Sequence, residues 1–585
     1  MLRSRFFTFC LFPLILCLLL MHFNHALDMT FMHSPYVQMK HAHVLRVPPS
    51  FQPLSESHLL RSRASLENQR VRLTFALKHR NTQWLTKTFE RVSNPDSEQY
   101  GNFLSMKQVA KLTAPEESHW KALFQFLNSI PDVRITHMSK HMNFVTVSMS
   151  VKSVDTFLKA KMTPFMHKET GQVFFRSVEG FALPLHVAPG IHTVFGIHHF
   201  PTYKRKLKRS RLHFKGLSQN ETPLTTPQSI WRRYNMTRDD LNVISFPKNR
   251  QAIASFLGEY YSPKDLEMFQ RTFNLSRMQP VVHGPNDASK PGIEASLDIQ
   301  YIMATGQNIN TTINSIPDEE TADPFLDWIS LLQSQGDECA YVHSISYGAV
   351  EKYIPEDVQM TLDYEFQKLA IAGRTVLIAS GDDGARCSQD ETSFEPEWPT
   401  SSPYVTSVGA TKPSNRNIYW KNFSLQEEAT EWSGGGFSNA YSRPSYQNDA
   451  VASYLSQPHV PSQKYFNPNG RAYPDISAYG VNYQVMCNGR VENVDGTSAS
   501  TPVVAGMIAL LNDLRMQRGM KPLGFLNYWL YKKVAVKENF NAFYDVTFGN
   551  NAMYPCPGFP ATKGFDVVTG WGTPNFEVLK KIALE

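Results

Sequence analysis

Gly496-Thr497-Ser498-Ala499-Ser500-Thr501-Pro502 reads as a turn that runs straight into a helix. Pro502 fits a helical first turn, where a missing N–H costs nothing. Val503, Val504, Ala505, Gly506, Ile508 and Ala509 follow, and so small and apolar a run predicts a deeply buried helix over Thr501–Asp513. A serine at the N-terminus of such a helix faces backbone donors and the positive end of the macrodipole. The same donors suit an oxyanion intermediate. Ser498 is therefore the candidate nucleophile, and a plain Ser/Thr helix cap is the alternative.

Outward from this stretch, strands and helices alternate from Gln228 on. Strands are predicted over Ala252–Leu257, Tyr341–Ser346, Thr375–Ser380 and Tyr404–Gly409, with helices over Gly292–Thr305 and Glu356–Ala372. Buried apolar strands alternating with helices predict an α/β, doubly wound parallel sheet, whose ligands sit beyond the carboxyl ends of the strands. Farther upstream the pattern changes. Strands over Val71–Leu77, Val133–Met138, Asn143–Ser148 and Thr163–Met166, with helices over Thr82–Val92, Glu117–Asn128 and Val151–Ala160, predict a ferredoxin-like α+β unit with one added helix. Between the two units, residues 203–223 hold Lys204, Arg205, Lys206, Lys208, Arg209, Arg211 and Lys215, which predicts a solvated, protease-exposed linker. Without interleaved aromatics it does not read as a nucleic-acid site.

Residues 1–27 have a basic start at Arg3 and Arg5, an apolar run from Phe6 to Met21 and small Ala26. This is the pattern of a signal peptide; the run is short for a membrane anchor, which needs about 20 residues. The expected division is a signal at 1–27, a front α+β unit at 28–202, the basic linker at 203–223 and a rear α/β unit at 224–585. Cys339, Cys387, Cys487 and Cys556 remain after the signal and match no zinc spacing, so in the secretory pathway they predict one or two disulfides. Sequons begin at Asn220, Asn235, Asn274, Asn310 and Asn422, all candidate glycan sites. Charge is divided too: residues 1–223 carry 29 lysines and arginines against 13 acids, and residues 224–585 carry 29 against 39. The two parts attract near neutral pH, and protonating carboxylates weakens that attraction. This is either uneven solvated charge or an intramolecular inhibitor released by acid.

A histidine backed by an aspartate is the familiar activator of a serine. In a subtilisin-like sheet it stands in a His-Gly-Thr setting, and no His-Gly-Thr occurs here; His283 and His343 read as structural or surface residues. The helix Gly292-Ile293-Glu294-Ala295-Ser296-Leu297-Asp298 instead puts Glu294 and Asp298 four apart on one face. On a surface they are an unremarkable acidic face. In a cleft they share a proton, one pKa rises, and the pair stays competent as a base in acid, where histidine is protonated. Ala379-Ser380-Gly381-Asp382 ends an apolar strand in a glycine turn at the sheet's carboxyl edge. Asp382 is either a turn residue bonding its own backbone or a carboxyl that an apolar site keeps protonated so that it donates to an oxyanion.

Together with Ser93–Gly101, Arg232-Arg233-Tyr234-Asn235, Ser346-Tyr347-Gly348, Ser433–Ser438 and Arg471–Asp475, these pieces resemble the sedolisin, or serine-carboxyl peptidase, family over nearly the whole chain after the signal. The resemblance implies a self-activating zymogen whose own prodomain inhibits it and whose substrates are peptides or unfolded proteins. Ser498 would attack the scissile carbonyl and form an acyl-enzyme, Glu294 would move its proton, Asp298 would tune Glu294, and Asp382 would complete the oxyanion hole. Ser346 and the Gly434, Gly435 and Gly436 run would flank the substrate backbone, although the run also reads as a plain loop. Removal of N-terminal tripeptides is implied; an endopeptidase, a Ser-His-Asp peptidase and a catalytically dead secreted glycoprotein are the rivals. One Ca2+ is implied, held by the carboxylates of Asp545 and Asp566 and the carbonyls of Val546, Thr562 and Gly564, although two loop aspartates alone also read as turn residues. Two departures stand out. Asp495 occupies a position where the family usually has serine. The loop 548–563 is shorter and holds only Cys556, so a Cys387–Cys556 bridge is expected, leaving Cys339 and Cys487 unassigned. The expected location is an acidic organelle such as the lysosome, or outside the cell, without a membrane anchor or nucleic-acid partner.

Overall fold

The computed structural model describes residues 35–39, 46–54, 66–205, 208–209, 224–316, 323–388, 390, 392–414, 426–536 and 541–585. The expected signal peptide and the sequons at Asn220 and Asn422 lie outside the described residues.

The front unit contains β1 (Arg70–Leu77), α1 (Thr82–Ser93), α2 (Glu117–Asn128), β2 (Arg134–Met138), β3 (Phe144–Ser150), α3 (Val151–Leu158) and β4 (Ile191–Phe195). Its antiparallel sheet runs β2-β3-β1-β4, the ferredoxin-like order. One expectation fails. The strand that closes this sheet is β4; Thr163–His167 pairs instead with Phe51–Pro53 and Val173–Arg176 in a separate three-stranded sheet. β4 reads Ile191-His192-Thr193-Val194-Phe195, a pattern that buries Ile191, Val194 and Phe195 in the core.

Two short strands follow, β5 (Lys204–Arg205) and β6 (Lys208–Arg209). The rear unit then builds β7 (Arg250–Ser255), β8 (Val281–His283), α4 (Ile293–Thr305), β9 (Asn310–Ser315), α5 (Pro324–Gln335), β10 (Val342–Ile345), β11 (Tyr347–Val350), α6 (Glu356–Ile371), β12 (Thr375–Ala379), β13 (Glu397–Trp398), β14 (Thr406–Pro413), β15 (Glu427–Ala429), β16 (Ile476–Tyr479), β17 (Arg490–Asp495) and α7 (Thr497–Gln517). The eight-stranded sheet runs β8-β9-β7-β10-β12-β14-β15, with β16 also on β14. All its pairs are parallel except β14–β15.

α7 begins at Thr497, earlier than the proline rule suggests, so Pro502 lies inside the helix. Its absent N–H would have paired with the Ser498 carbonyl. Helices α4 and α7 cross in close contact. A Cβ at Gly506 would lie 2.2 Å from Thr305 Oγ1 and 2.5 Å from Gly306 N, so a glycine there permits the close approach of α7 to the C-terminal end of α4.

Candidate active site

The first turn of α7 carries Ser498 and the first turns of α4 carry Glu294 and Asp298, all wholly or almost wholly buried. α4 is buried on every side, and its two acids therefore cannot be a solvated face. Burial and the Asp298 charge push the Glu294 pKa far up, and the Ser498 hydroxyl pulls it down. That hydroxyl is within reach of Glu294 without an aligned hydrogen bond, since neither Glu294 oxygen has a well-oriented donor. Such contacts tighten when substrate enters. Asp298 is likewise raised by burial and held in place by Ser346, whose Oγ donates to Asp298 Oδ1 at 2.8 Å. Two acids in one dry site cannot both ionise cheaply, so the pair holds a proton well above the usual carboxylate range.

Asp382 follows the end of β12. Its Oδ1 accepts from Thr497 N at 2.9 Å and Thr497 Oγ1 at 2.8 Å, and Thr497 Oγ1 accepts from Gly381 N at 3.2 Å. The residue before Ser498 is thus latched to the strand-end turn. Gly434 N donates to Gly381 O at 2.7 Å. A Cβ at Gly434 would lie 2.3 Å from Ser380 O, and one at Gly435 2.1 Å from Val567 O. The glycine run therefore backs the Asp382 turn closely.

Glu259 escaped the sequence reading. Its Oε2 accepts from Glu294 N at 3.2 Å, capping α4, and its charge raises both Glu294 and Asp298. It follows Gly258 just beyond β7, the same strand-end pattern that singled out Asp382. The histidines stand apart. His343 packs edge-on against Trp328, its pKa pushed down to about 3 by burial and the Arg374 charge. His283 lies on edge strand β8.

The expected solvated linker is different in its described part. β5 pairs antiparallel with β11, Lys204 opposite Gly348 and Arg205 opposite Tyr347. β6 pairs antiparallel with β17, Lys208 opposite Asp495 and Arg209 opposite Val494. Tyr203 is buried and donates to Asp323 Oδ2 at 2.7 Å. The basic segment is paired, through its backbone, with strands that border Ser346 and Ser498.

Cys387 and Cys556 form a disulfide, while Cys339 and Cys487 are free and buried. On the loops either side of Cys556, Asp545 Oδ2 accepts from Gly564 N at 2.9 Å. Asp566 accepts from Thr562 N, Val568 N and Thr569 N, and burial raises its pKa to about 7. Among the described residues no three His, Cys, Asp or Glu side chains gather as a metal cluster. The two carboxylates stand on loops joined by these hydrogen bonds, and carboxylate oxygens are the donors a hard cation takes. Asn235, Asn274 and Asn310 are exposed; the Asn235 amide donates to Tyr544 Oη at 2.6 Å. No helix among the described residues is long and apolar enough to cross a membrane.

The Pro-kumamolisin activation domain model matches residues 59–200, and the Subtilase family model matches residues 304–525. Tripeptidyl-peptidase 1 of Canis lupus familiaris is 37% identical over 533 residues, covering 88% of this chain and 92% of that protein. The chain belongs to the sedolisin family of serine peptidases. Tripeptidyl-peptidase 1 of Dictyostelium discoideum is 34% identical over 88% of this chain and 89% of its own length. A Pseudomonas sedolisin structure, a serine-carboxyl proteinase complexed with pseudo-iodotyrostatin, is 22% identical, covers 61% of this chain and 97% of its own, and gives a TM-score of 0.49. This sedolisin is a zymogen peptidase, with an activation domain ahead of a subtilisin-like α/β domain. The Subtilase match begins after Glu294 and Asp298, so it spans Asp382 and Ser498 but not the acid pair.

Proposed function

We propose that this sedolisin hydrolyses peptide bonds in acid through Ser498, Glu294, Asp298 and Asp382. Ser498 Oγ attacks the scissile carbonyl while Glu294 takes its proton. Glu294 returns that proton to the leaving amine, leaving an acyl-enzyme that water then cleaves. Asp298, anchored by Ser346, shares a proton with Glu294 and so tunes its basicity. Asp382, oriented by Thr497, and the Ser498 backbone N–H receive the oxyanion. The observation that carries this reading is a buried Glu294 facing Ser498, with a second buried acid one helical turn away.

The basic segment supports an inhibitory role for the front unit. Strand pairing beside Ser346 and just ahead of Ser498 occupies the backbone donors and acceptors that an extended peptide would use. Ser346 and Gly434–Gly436 would flank that peptide once the segment leaves. A single Ca2+, held by Asp545 and Asp566 with the carbonyls of Val546, Thr562 and Gly564, would brace the loops behind the site. Its chemistry is structural.

Release of N-terminal tripeptides is the specificity we propose, supported by 37% identity to proteins named tripeptidyl-peptidase 1. Passage through the secretory pathway to an acidic organelle, with glycans on the exposed sequons, completes the reading. The test is to hold purified precursor near pH 4, add an unblocked peptide and weigh the products. Successive losses of three residues support the proposal. Internal cuts would overturn the exopeptidase reading, and no cutting together with no labelling of Ser498 by a serine-directed phosphonate would overturn the peptidase reading.

A further inference from the structure

The front and rear units leave a cavity where they meet. It has a volume of about 350 Å³ and lies between the helix Met106–Thr113 of the front unit and helices α5 and α6 of the rear unit. Its apolar lining comes from both sides: Val109 belongs to the front unit, and Ile329, Leu332 and Leu369 to the rear. All four are buried. Small-molecule sites of this size combine such apolar walls with a few placed polar groups.

One wall is polar. Glu365 accepts from Asn143 Nδ2 at 3.0 Å, Gln333 Nε2 at 3.2 Å and Lys368 Nζ at 2.7 Å, and all four residues line the cavity. The carboxylate fixes which way the Gln333 amide faces, because only its NH2 group can donate. Gln333 Oε1 is left buried and without a donor, in a residue only 8% exposed. A buried acceptor in that state is costly, and a hydroxyl or amide N–H entering the cavity would satisfy it. The rim is cationic. Lys107 and Lys140 are exposed there and enter no ion pair among the described residues. Asp337, the other acid of the lining, is engaged: its Oδ1 accepts from Met106 N at 2.6 Å.

We propose that this cavity binds a small amphipathic anion. Its carboxylate meets Lys107 and Lys140, its apolar body lies against Val109, Leu332 and Leu369, and one hydroxyl or amide N–H donates to Gln333 Oε1. The walls belong to both units, so the ligand binds the docked precursor and not the separated rear unit. It therefore holds the activation domain in place: at ten times its Kd it lowers the opened population about tenfold by mass action. The site is independent of which peptide bonds the mature enzyme cuts.

The probe is N-acetyltryptophan, which offers a carboxylate, a large apolar ring and N–H donors; N-acetyltryptophanamide is the matched neutral control. Full-length Ser498→Ala precursor, which cannot cut itself, is titrated with each at neutral pH by calorimetry. One site per chain with a Kd of about 0.1 mM is expected for a ligand of this size, and the neutral amide should bind about tenfold more weakly. Lys107→Gln with Lys140→Gln, both at exposed positions, should bring the two probes to within about twofold of each other. Ala110→Trp, which fills the cavity from the front unit, should abolish binding. Should that change disturb docking, Gln333→Met keeps the volume, removes the acceptor and should weaken both probes severalfold. Absence of saturable binding overturns the site. Equal affinity of the unaltered chain for acid and amide overturns the choice of an anion. Binding that none of these substitutions alters places the probe elsewhere and overturns the site as well.

Discussion

His79, at the end of β1, is the point where protonation should most directly loosen the front unit from the rear. It is buried at the interface, with Nε2 3.2 Å from Glu365 Oε1 on α6. Lys368 reaches both partners, 2.7 Å from Glu365 Oε1 and 3.4 Å from His79 Nδ1. Asn143 and Gln333 also donate to Glu365, and the Tyr364 ring closes the other side. Burial, helped by the Lys368 charge, lowers the His79 pKa from its ordinary 6.5, so the docked state holds it neutral. Lys368 and His79 draw the Glu365 pKa down to about 2 against the cost of its burial.

The sign follows from proton counts. A histidine whose pKa is lowered in the docked state binds fewer protons there than when free, so docking is unimpaired above 6.5 and weakens as pH falls below it. The depressed Glu365 adds to this: its contribution is present above 4.5 and lost as pH falls toward about 2. For His79 alone the limit is tenfold per pH unit, which over two pH units below its ordinary pKa amounts to about 100-fold or about 2.7 kcal/mol. The assay follows opening of a Ser498→Ala precursor, which cannot cut itself, by hydrogen exchange in α6 from about pH 7 to about pH 4. His79→Gln, which keeps a polar group but cannot become charged, should flatten the pH dependence by about one proton and move opening to lower pH. Superimposable curves for the precursors with and without His79→Gln would refute this trigger.

Three further outcomes follow from the same geometry. Replacing Cys387 and Cys556 by serine opens a loop closed across a separation of 169 residues and should lower stability in chemical denaturation by about 3–5 kcal/mol. Gly434→Ala puts a Cβ 2.3 Å from Ser380 O; the shifted Asp382 turn should cost about 100-fold in kcat/KM. Adding calcium to chelator-treated enzyme should raise Tm more at pH 7 than at pH 4, because Asp566, raised to about 7, must lose its proton to bind the ion. An equal rise at both pH values would speak against Asp566 as a ligand.

The central strands of the rear sheet were legible because they are mostly apolar, whereas the polar Asn310–Ser315 was not read as a strand. Thr375–Ala379 is buried at every residue, and such a run admits few other readings. Pairing partners were harder. Thr163–His167 looks like a strand and is one, but local sequence does not say which sheet receives it; that is decided by the distant Ile191–Phe195. Ser498, Glu294, Asp298 and Asp382 were each visible at the end of an element, where small residues meet polar ones. Glu259 was missed although it follows a glycine just beyond a strand, as Asp382 does. The seat of Lys204 could not be read either, since a run of basic residues has the composition of a solvated linker and only its backbone pairing places it in the cleft.

The proposed mechanism has a buried pair of acids doing for Ser498 what imidazole does in other serine peptidases. It is tested most directly by kcat/KM of Glu294→Gln against the unaltered enzyme at about pH 4, with Tm measured on both. The expected loss is about 100- to 10,000-fold in a protein that still melts cooperatively at a similar temperature. A folded Glu294→Gln enzyme that retains activity within about threefold would contradict it.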